Sequence, residues 1–219
     1  MARTKTIIEN RLQPAKADEL ATSELVVTLA LMLRGNYTEK ASYISFSKVE
    51  KKTYFTDYEE ECNLQVKHTI SNACCELQIP FETQPRDTCK KRYYMWGQNL
   101  KKLLAKQSLL PETNWKHELQ IPNSWHFLSS DKLRILYDLT YDLFSEFHLR
   151  KTKRTGKTEE MIRLTDSLHA VKGPRRFIKD LYDVLKNTEH SMIQFNYIED
   201  NEAIIKMWPI VNEDISDLL

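Results

Sequence analysis

The chain has 219 residues, 32 Lys and Arg against 31 Asp and Glu, a formal net charge of +1, and 41% hydrophobic and 29% charged residues. That is the composition of a soluble globular protein. Four Gly and seven Pro are too few for an all-β chain of many short turns or for a collagenous or linker-like one. There is no GxGxxG and no GxxxxGK stretch, which argues against a Rossmann or P-loop nucleotide enzyme.

Residues 1–17 form a polar arm without the apolar run and small-residue cleavage site of a secretory signal. Asp18 or Ser23 is suited to cap a helix that runs to Leu33. Its stretch Leu25–Leu33 is too short to span a bilayer and reads as a buried helix, with Gly35 as its stop signal. Tyr43–Val49 alternates apolar and polar residues, Lys51-Lys52 suggests a turn, and Thr53–Thr56 continues as the second strand of a hairpin. Residues 58–77 are expected to be helical, with Leu64, His68, Ala73 and Leu77 on one face, followed by a short extended piece at Ile79-Pro80-Phe81. A basic helix is expected over Lys91–Lys106, with Tyr94, Leu100, Leu103 and Leu104 as its apolar side. Residues 111–129, with Trp115 and Trp125, read as a connector between an N-terminal α+β domain (18–110) and a C-terminal domain (130–219).

Ser130 or Asp131 caps a helix with Leu133, Leu136, Tyr137, Thr140, Phe144 and Phe147 at i, i+3, i+4 spacing. A basic segment follows, and a shorter helix from Thr158 carries Met161, Leu164, Thr165 and Leu168 on one face. Gly173-Pro174 breaks it. Pro174 suits the first turn of the next helix, which runs to about Thr188 and buries Phe177, Ile178, Leu181, Val184 and Leu185. Met192–Ile198 and Ala203–Trp208 form a closing hairpin around Glu199-Asp200-Asn201-Glu202.

Helix, helix, Gly-Pro turn, helix and hairpin is the order of a winged helix-turn-helix, whose third helix enters the DNA major groove. Arg175, Lys179, Tyr182 and Lys186 recur at i, i+4, i+7 and i+11 along that helix, with Arg176 at its start. Arg matches the O6 and N7 edge of guanine, whereas Lys more often meets phosphate. Lys151, Lys153, Arg154, Lys157 and Lys172 are expected to neutralise phosphate. Residues 150–186 carry eleven basic and five acidic residues. A second basic run, over residues 86–106, holds seven basic residues against Asp87 alone, with Lys90, Lys91 and Arg92 among them. Such polarisation suits a surface that meets a polyanion. Tyr93, Tyr94 and Trp96 lie among these cations, where aromatics can stack single-stranded bases. The competing reading of the three is core packing of an amphipathic helix.

The stretches LYDLTYDLF (136–144) and FIKDLYDVLKN (177–187), the Gly-containing turn and the closing hairpin resemble the C-terminal winged-helix domain of two-domain plasmid replication initiator proteins. The resemblance covers roughly residues 131–210. It implies a replication initiator or regulator of a mobile element, with residues 18–110 as a first, dimerising domain and the second domain reading repeated origin DNA.

The expected architecture is thus a mostly helical α+β chain with a winged helix at its C-terminus. The expected function is non-enzymatic binding of double-stranded DNA, with single-stranded DNA, a second copy of the chain or a protein partner as further ligands, and without cofactor, metal or membrane. Two alternatives are an adaptor that docks a protein through its acidic hairpin and tail, and a metal-dependent nuclease. The nuclease would use Asp57, Glu59, Glu60 and Glu61 ahead of Gln65-Val66-Lys67, converging on a strand edge. The six histidines are scattered without an HxH pair, and Cys62, Cys74, Cys75 and Cys89 form no CxxC pair. Adjacent Cys74 and Cys75 suit two faces of a helix. A cytoplasmic location is expected, since no disulfide framework is apparent.

Overall fold

The computed structural model describes residues 19–39, 42–45, 56–83, 92–111, 119–144, 146–148, 168–198 and 201–210. The polar arm, the basic segment around Lys151, Lys153, Arg154 and Lys157, Lys90 and Lys91, and nearly all of the helix expected from Thr158 lie outside these residues.

Helix α1 (Thr22–Arg34) is apolar on almost every side, and Ser23 and Leu25–Met32 are all buried, as expected for a helix enclosed by its neighbours. Its cap is not Asp18 or Ser23. Ala21 is the capping residue, and its backbone N–H donates to the Glu24 carboxylate at 2.9 Å. Gly35 does not close α1 in a left-handed turn. It is extended and opens strand β1 (Gly35–Tyr37). Glycine is needed there because a Cβ would stand 2.7 Å from the Leu31 carbonyl oxygen and 2.9 Å from that of Tyr43.

Strand β2 (Ser42–Ser45) pairs antiparallel with β1; of the expected hairpin, residues 46–55 lie outside the described residues, and Thr56, expected to end its second strand, begins helix α2 (Thr56–Glu76). The buried face of α2 holds Val66, Ile70, Ala73 and Cys74, while Leu64 and His68 are exposed. The core face is therefore rotated from the expected one. Strands β3 (Phe81–Thr83) and β4 (Arg92–Met95) follow. The expected helix over Lys91–Lys106 is real only from Gln98. Arg92–Met95 is a strand, Gly97 turns at φ 102°, and helix α3 (Gln98–Lys106) buries Leu100, Leu103 and Leu104. That φ is open to Gly and costly for other residues.

The 111–129 segment includes a 3₁₀ turn at Asn123–Phe127 that buries Trp125 completely. Helix α4 (Ser130–Leu139) starts at its cap Ser129 and passes into a π-helical turn at Thr140–Phe144. The helix does not reach Phe147, which lies in strand β5 (Glu146–His148). Strand β6 (Leu168–Pro174) replaces what was expected to be the end of a helix and a Gly-Pro break. Helix α5 (Arg175–Leu185) begins directly after it and buries the five expected apolar residues. Strands β7 (Ile193–Tyr197) and β8 (Glu202–Met207) form the closing hairpin.

The chain is thus α+β, with helices packed on two four-stranded antiparallel sheets among the described residues. The sheet orders are β1-β2-β4-β3 and β5-β6-β8-β7. Each unit runs helix, strand, strand, helix, strand, strand, and each sheet has the same neighbour order. The topology is duplicated. The first helices meet: α1 touches α4 and its π-helical turn, and one buried cluster includes Leu29, Ile70 and Trp125 together with Leu136, Ile178 and Ile205. Each fully buried Leu or Ile adds about 1.5–3 kcal/mol relative to exposure.

Candidate nucleic-acid interface

Strand side chains alternate between faces, and directly paired residues share one. In the second sheet, Val171, Ile205 and Phe195 are in register, as are Gly173, Ala203 and Tyr197. This face packs on α5. The Tyr182 and Phe195 rings are 5.5 Å apart, and a Cβ on Gly173 would meet Ile178 at 3.3 Å. The opposite face carries Ala170, Lys206 and Gln194 in one row and Lys172, Ile204 and Asn196 in the next. Lys172 and Gln194 are exposed; Lys206 and Asn196 are half-buried. The Asn196 Nδ2 has no hydrogen-bond partner among the described residues. That atom is closed to solvent, so the exposed Gln194 is the amide of this face that can bond the N6 and N7 edge of adenine, and Lys is suited to phosphate.

The first sheet follows the same rule. Ile44, Tyr93 and Thr83 share the face that packs on α2, where Cys74 Sγ lies 3.7 Å from Met95 Sδ and Lys67 Nζ sits 4.8 Å from the Tyr93 ring centre. The other face carries Asn36, Tyr43, Tyr94 and Glu82 in one row, with Arg92 beyond them. The Tyr43 and Tyr94 rings are 5.6 Å apart, and the Arg92 guanidinium lies 4.8 Å from the Tyr43 centroid. Sequence spacing places Tyr93, Tyr94 and Trp96 together on a helix. The strand separates Tyr93, turned to the core, from Tyr94, turned to the open face.

Helix α5 is less free than its cationic stripe suggests. The Arg175 guanidinium lies 3.9 Å from the centre of the Tyr197 ring. Lys179 is bonded to Asp183, and Lys186 meets the other oxygen of that carboxylate at 2.8 Å. Burial works to raise the Asp183 pKa, but the hydrogen bonds and charges of the two lysines outweigh it and hold the carboxyl below its ordinary value. The Asp183 hydrogen bond in turn raises Lys186. Tyr182 is half-buried against Phe195. Arg176 is exposed at the start of α5. Of the expected contacts, Arg175, Lys179, Tyr182 and Lys186 are thus tied to neighbours on their own unit, and Arg92 is exposed but also lies against a ring of its own sheet, whereas Arg176 and Lys172 are exposed cationic side chains. Lys206, Gln194, Asn196, Asn36 and Tyr43 were not found from sequence. Only the pairing of strands distant in the chain puts them on one surface.

Asp57 and Glu59–Glu61 lie on α2, not on a strand. This differs from the placement that the nuclease alternative needs. At the end of α4 and in the π-helical turn that follows, burial raises Asp138 and Asp142, and the Asp138 charge adds to the rise at Asp142. His169 is lowered by burial, and its ring stacks 4.1 Å from that of Tyr141. Among the described residues, no group of three or more His, Cys, Asp or Glu could hold a metal ion. No helix among them is long and apolar enough to cross a membrane. Neither a protein-family model nor a curated protein matches this chain.

Proposed function

We propose that this chain binds duplex DNA, without catalysing a reaction on it, across the faces of its two sheets that point away from α2 and α5. The observation that carries the reading is the duplicated topology. Among the described residues it leaves each sheet with one face turned away from α2 or α5: one carries Arg92, Tyr43, Tyr94 and Asn36, with Glu82 in the same row, and the other carries Lys172, Lys206 and Gln194. Antiparallel sheets can read DNA grooves as helices do. Two like units suit paired or repeated half-sites, in keeping with an initiator or regulator of a mobile element.

A second reading keeps the winged helix, with α5 as its probe and β7–β8 as its wing. Exposed Arg176 favours it. Strand β6 stands directly before α5, where a helix-turn-helix has its second helix, and the sheet-face reading does not need that helix.

Fluorescence anisotropy with a labelled random duplex tests both. Neutralising about three phosphates predicts a roughly 40-fold loss of affinity between about 50 and 200 mM salt. Arg92→Ala, Lys172→Ala and Lys206→Ala should each weaken all sequences alike and flatten the salt slope by about one. If Arg176→Ala weakens binding while these three do not, α5 is the probe. No binding at about 50 mM salt rejects the DNA reading altogether.

A further inference from the structure

A cavity of about 650 Å³ lies at the end of the first sheet, where β1 turns toward β2 and β4 runs out through Gly97 into α3. Tyr37, Tyr94 and Trp96 supply aromatic surface, and Glu39, Glu82 and Lys101 supply charge. The size falls within the roughly 300–1,000 Å³ of small-ligand sites. Trp96 is 48% exposed, a large ring left in water beside a concave space. Glu82 stands directly opposite Tyr94 across the β3–β4 ladder, so its carboxylate and that ring are neighbours. Among the described residues, Glu39, Glu82 and Lys101 make no ion pair or hydrogen bond, and the Trp96 indole N–H has no acceptor.

These features select a class of ligand. Two unpaired carboxylates repel phosphate, so the nucleic-acid backbone is not what enters. Aromatic walls accept a planar ring, as in proteins that stack unpaired bases. A carboxylate accepts hydrogen bonds and cannot donate them. The matching edge therefore has adjacent N–H donors, and among the four DNA bases only guanine offers two side by side, N1–H and the N2 amino group. Lys101 is the cation available to the phosphate that follows. We propose that this cavity holds one unstacked guanine, stacked on Trp96 and Tyr94 and bonded along its Watson–Crick edge to Glu82. The inference rests on the nucleic-acid reading above and adds a single-stranded or extruded base to it.

The test uses the full chain and labelled heptathymidylates whose central base is guanine, hypoxanthine or adenine. Hypoxanthine keeps N1–H and lacks the amino group. Guanine should bind about 10-fold more tightly than either, the usual range for a good bidentate contact. Glu82→Gln should bring that preference to near unity, and Trp96→Leu should weaken all three oligonucleotides. Three results overturn the proposal: no preference for guanine over hypoxanthine, a preference that survives Glu82→Gln, or no binding of the guanine oligonucleotide at low salt. Binding of arginine amide together with an absent guanine preference also overturns it, and assigns the cavity to a cationic side chain of a protein partner. Guanine preference with random-duplex binding absent rejects the sheet-face reading alone. Duplex binding with no guanine preference rejects the cavity alone.

Discussion

Tyr137 shows how much one polar atom does in the second unit. Its ring is fully buried on α4, and its hydroxyl lies 2.7 Å from the Trp208 carbonyl oxygen and 3.1 Å from that of Met192. It thereby ties α4 to both strands of the closing hairpin where they end. Burial is the main cause that pushes its pKa up to about 12, against the lowering effect of these backbone contacts. A folded-state pKa above the unfolded value of 10.0 means that the folded protein holds the proton more tightly. This stabilisation is full below pH 10 and is lost as the pH rises toward about 12. Tyr137→Phe should cost about 1 kcal/mol at neutral pH. It should also remove part of the alkaline fall in stability, read from urea midpoints at several pH values. An unchanged alkaline limb would show that the group does not titrate as assigned. The neighbouring cysteines give a second check at this scale. Cys74 is buried, with its thiol pushed up to about 12 by burial, and Cys75 is exposed. Iodoacetamide should therefore modify Cys75 at least about 100-fold faster than Cys74 in the folded protein, because reaction needs an accessible thiolate. Fragment-ion mapping distinguishes the two adjacent sites, and comparable labelling would contradict the helix placement.

At the scale of elements, Gly35 is the tightest joint. The clash that a Cβ would meet is with the backbone of α1 and of β2, not with the end of a flexible side chain. Gly35→Ala should therefore cost about 3 kcal/mol or more, with α1 and the first sheet forced apart. A cost under about 1 kcal/mol would mean that the joint can relax. The sequence made α5 legible because its apolar residues recur at helical spacing, and α1 because its apolar run ends at Gly35; α2 was legible as a helix but its core face was not, since Val66 and Ile70 fall outside the expected stripe. It made the β7–β8 hairpin legible because each strand alternates. It hid β1 and β4, and showed of β3 only an extended piece ending at Phe81, because these strands are three or four residues long and too short to show a period. Arg92–Met95 was absorbed into a helical pattern that begins only after Gly97. Leu168–Pro174 ends in Gly-Pro, a breaker signal, yet pairs with β8 over six residues. The candidate interface was hidden for the same reason. Lys172 and Lys206 lie 34 positions apart in sequence and share a face only because β6 and β8 are neighbours. The cation stripe on α5 was visible, but its ties to Asp183 and Tyr197 were not, since Tyr197 comes from another element.

At the scale of the whole molecule, the question is whether two like units behave as two. Their helices do not announce the repeat: α1 is apolar throughout its middle, whereas α4 carries Asp131, Lys132, Arg134 and Asp138. The shared apolar cluster joins the units, and a buried polar chain ties the first unit to the segment that leads into the second. The Gln107 amide donates to the Thr28 hydroxyl at 2.6 Å and accepts from the Trp125 indole N–H at 2.9 Å. Gln107 is 1% exposed, so removing it strands two partners in the core. One link starts on α1, the next at the end of α3, and the last in the segment leading to α4. Gln107→Leu should therefore cost about 2–4 kcal/mol, since it leaves a buried hydroxyl and an indole N–H unpaired. If the core acts as one, that loss lowers the stability of both sheets together. Tryptophan fluorescence and far-ultraviolet circular dichroism should then give coincident urea transitions in the wild type and in Gln107→Leu, the signature of all-or-none unfolding. A single-tryptophan protein retaining Trp208 in the second unit should melt with one retaining Trp96 in the first, after correction for the cost of removing Trp125. Separate midpoints for these two reporters would show that the units fold independently. Coincident midpoints mean that the two units unfold as one cooperative block, held together by the core they share.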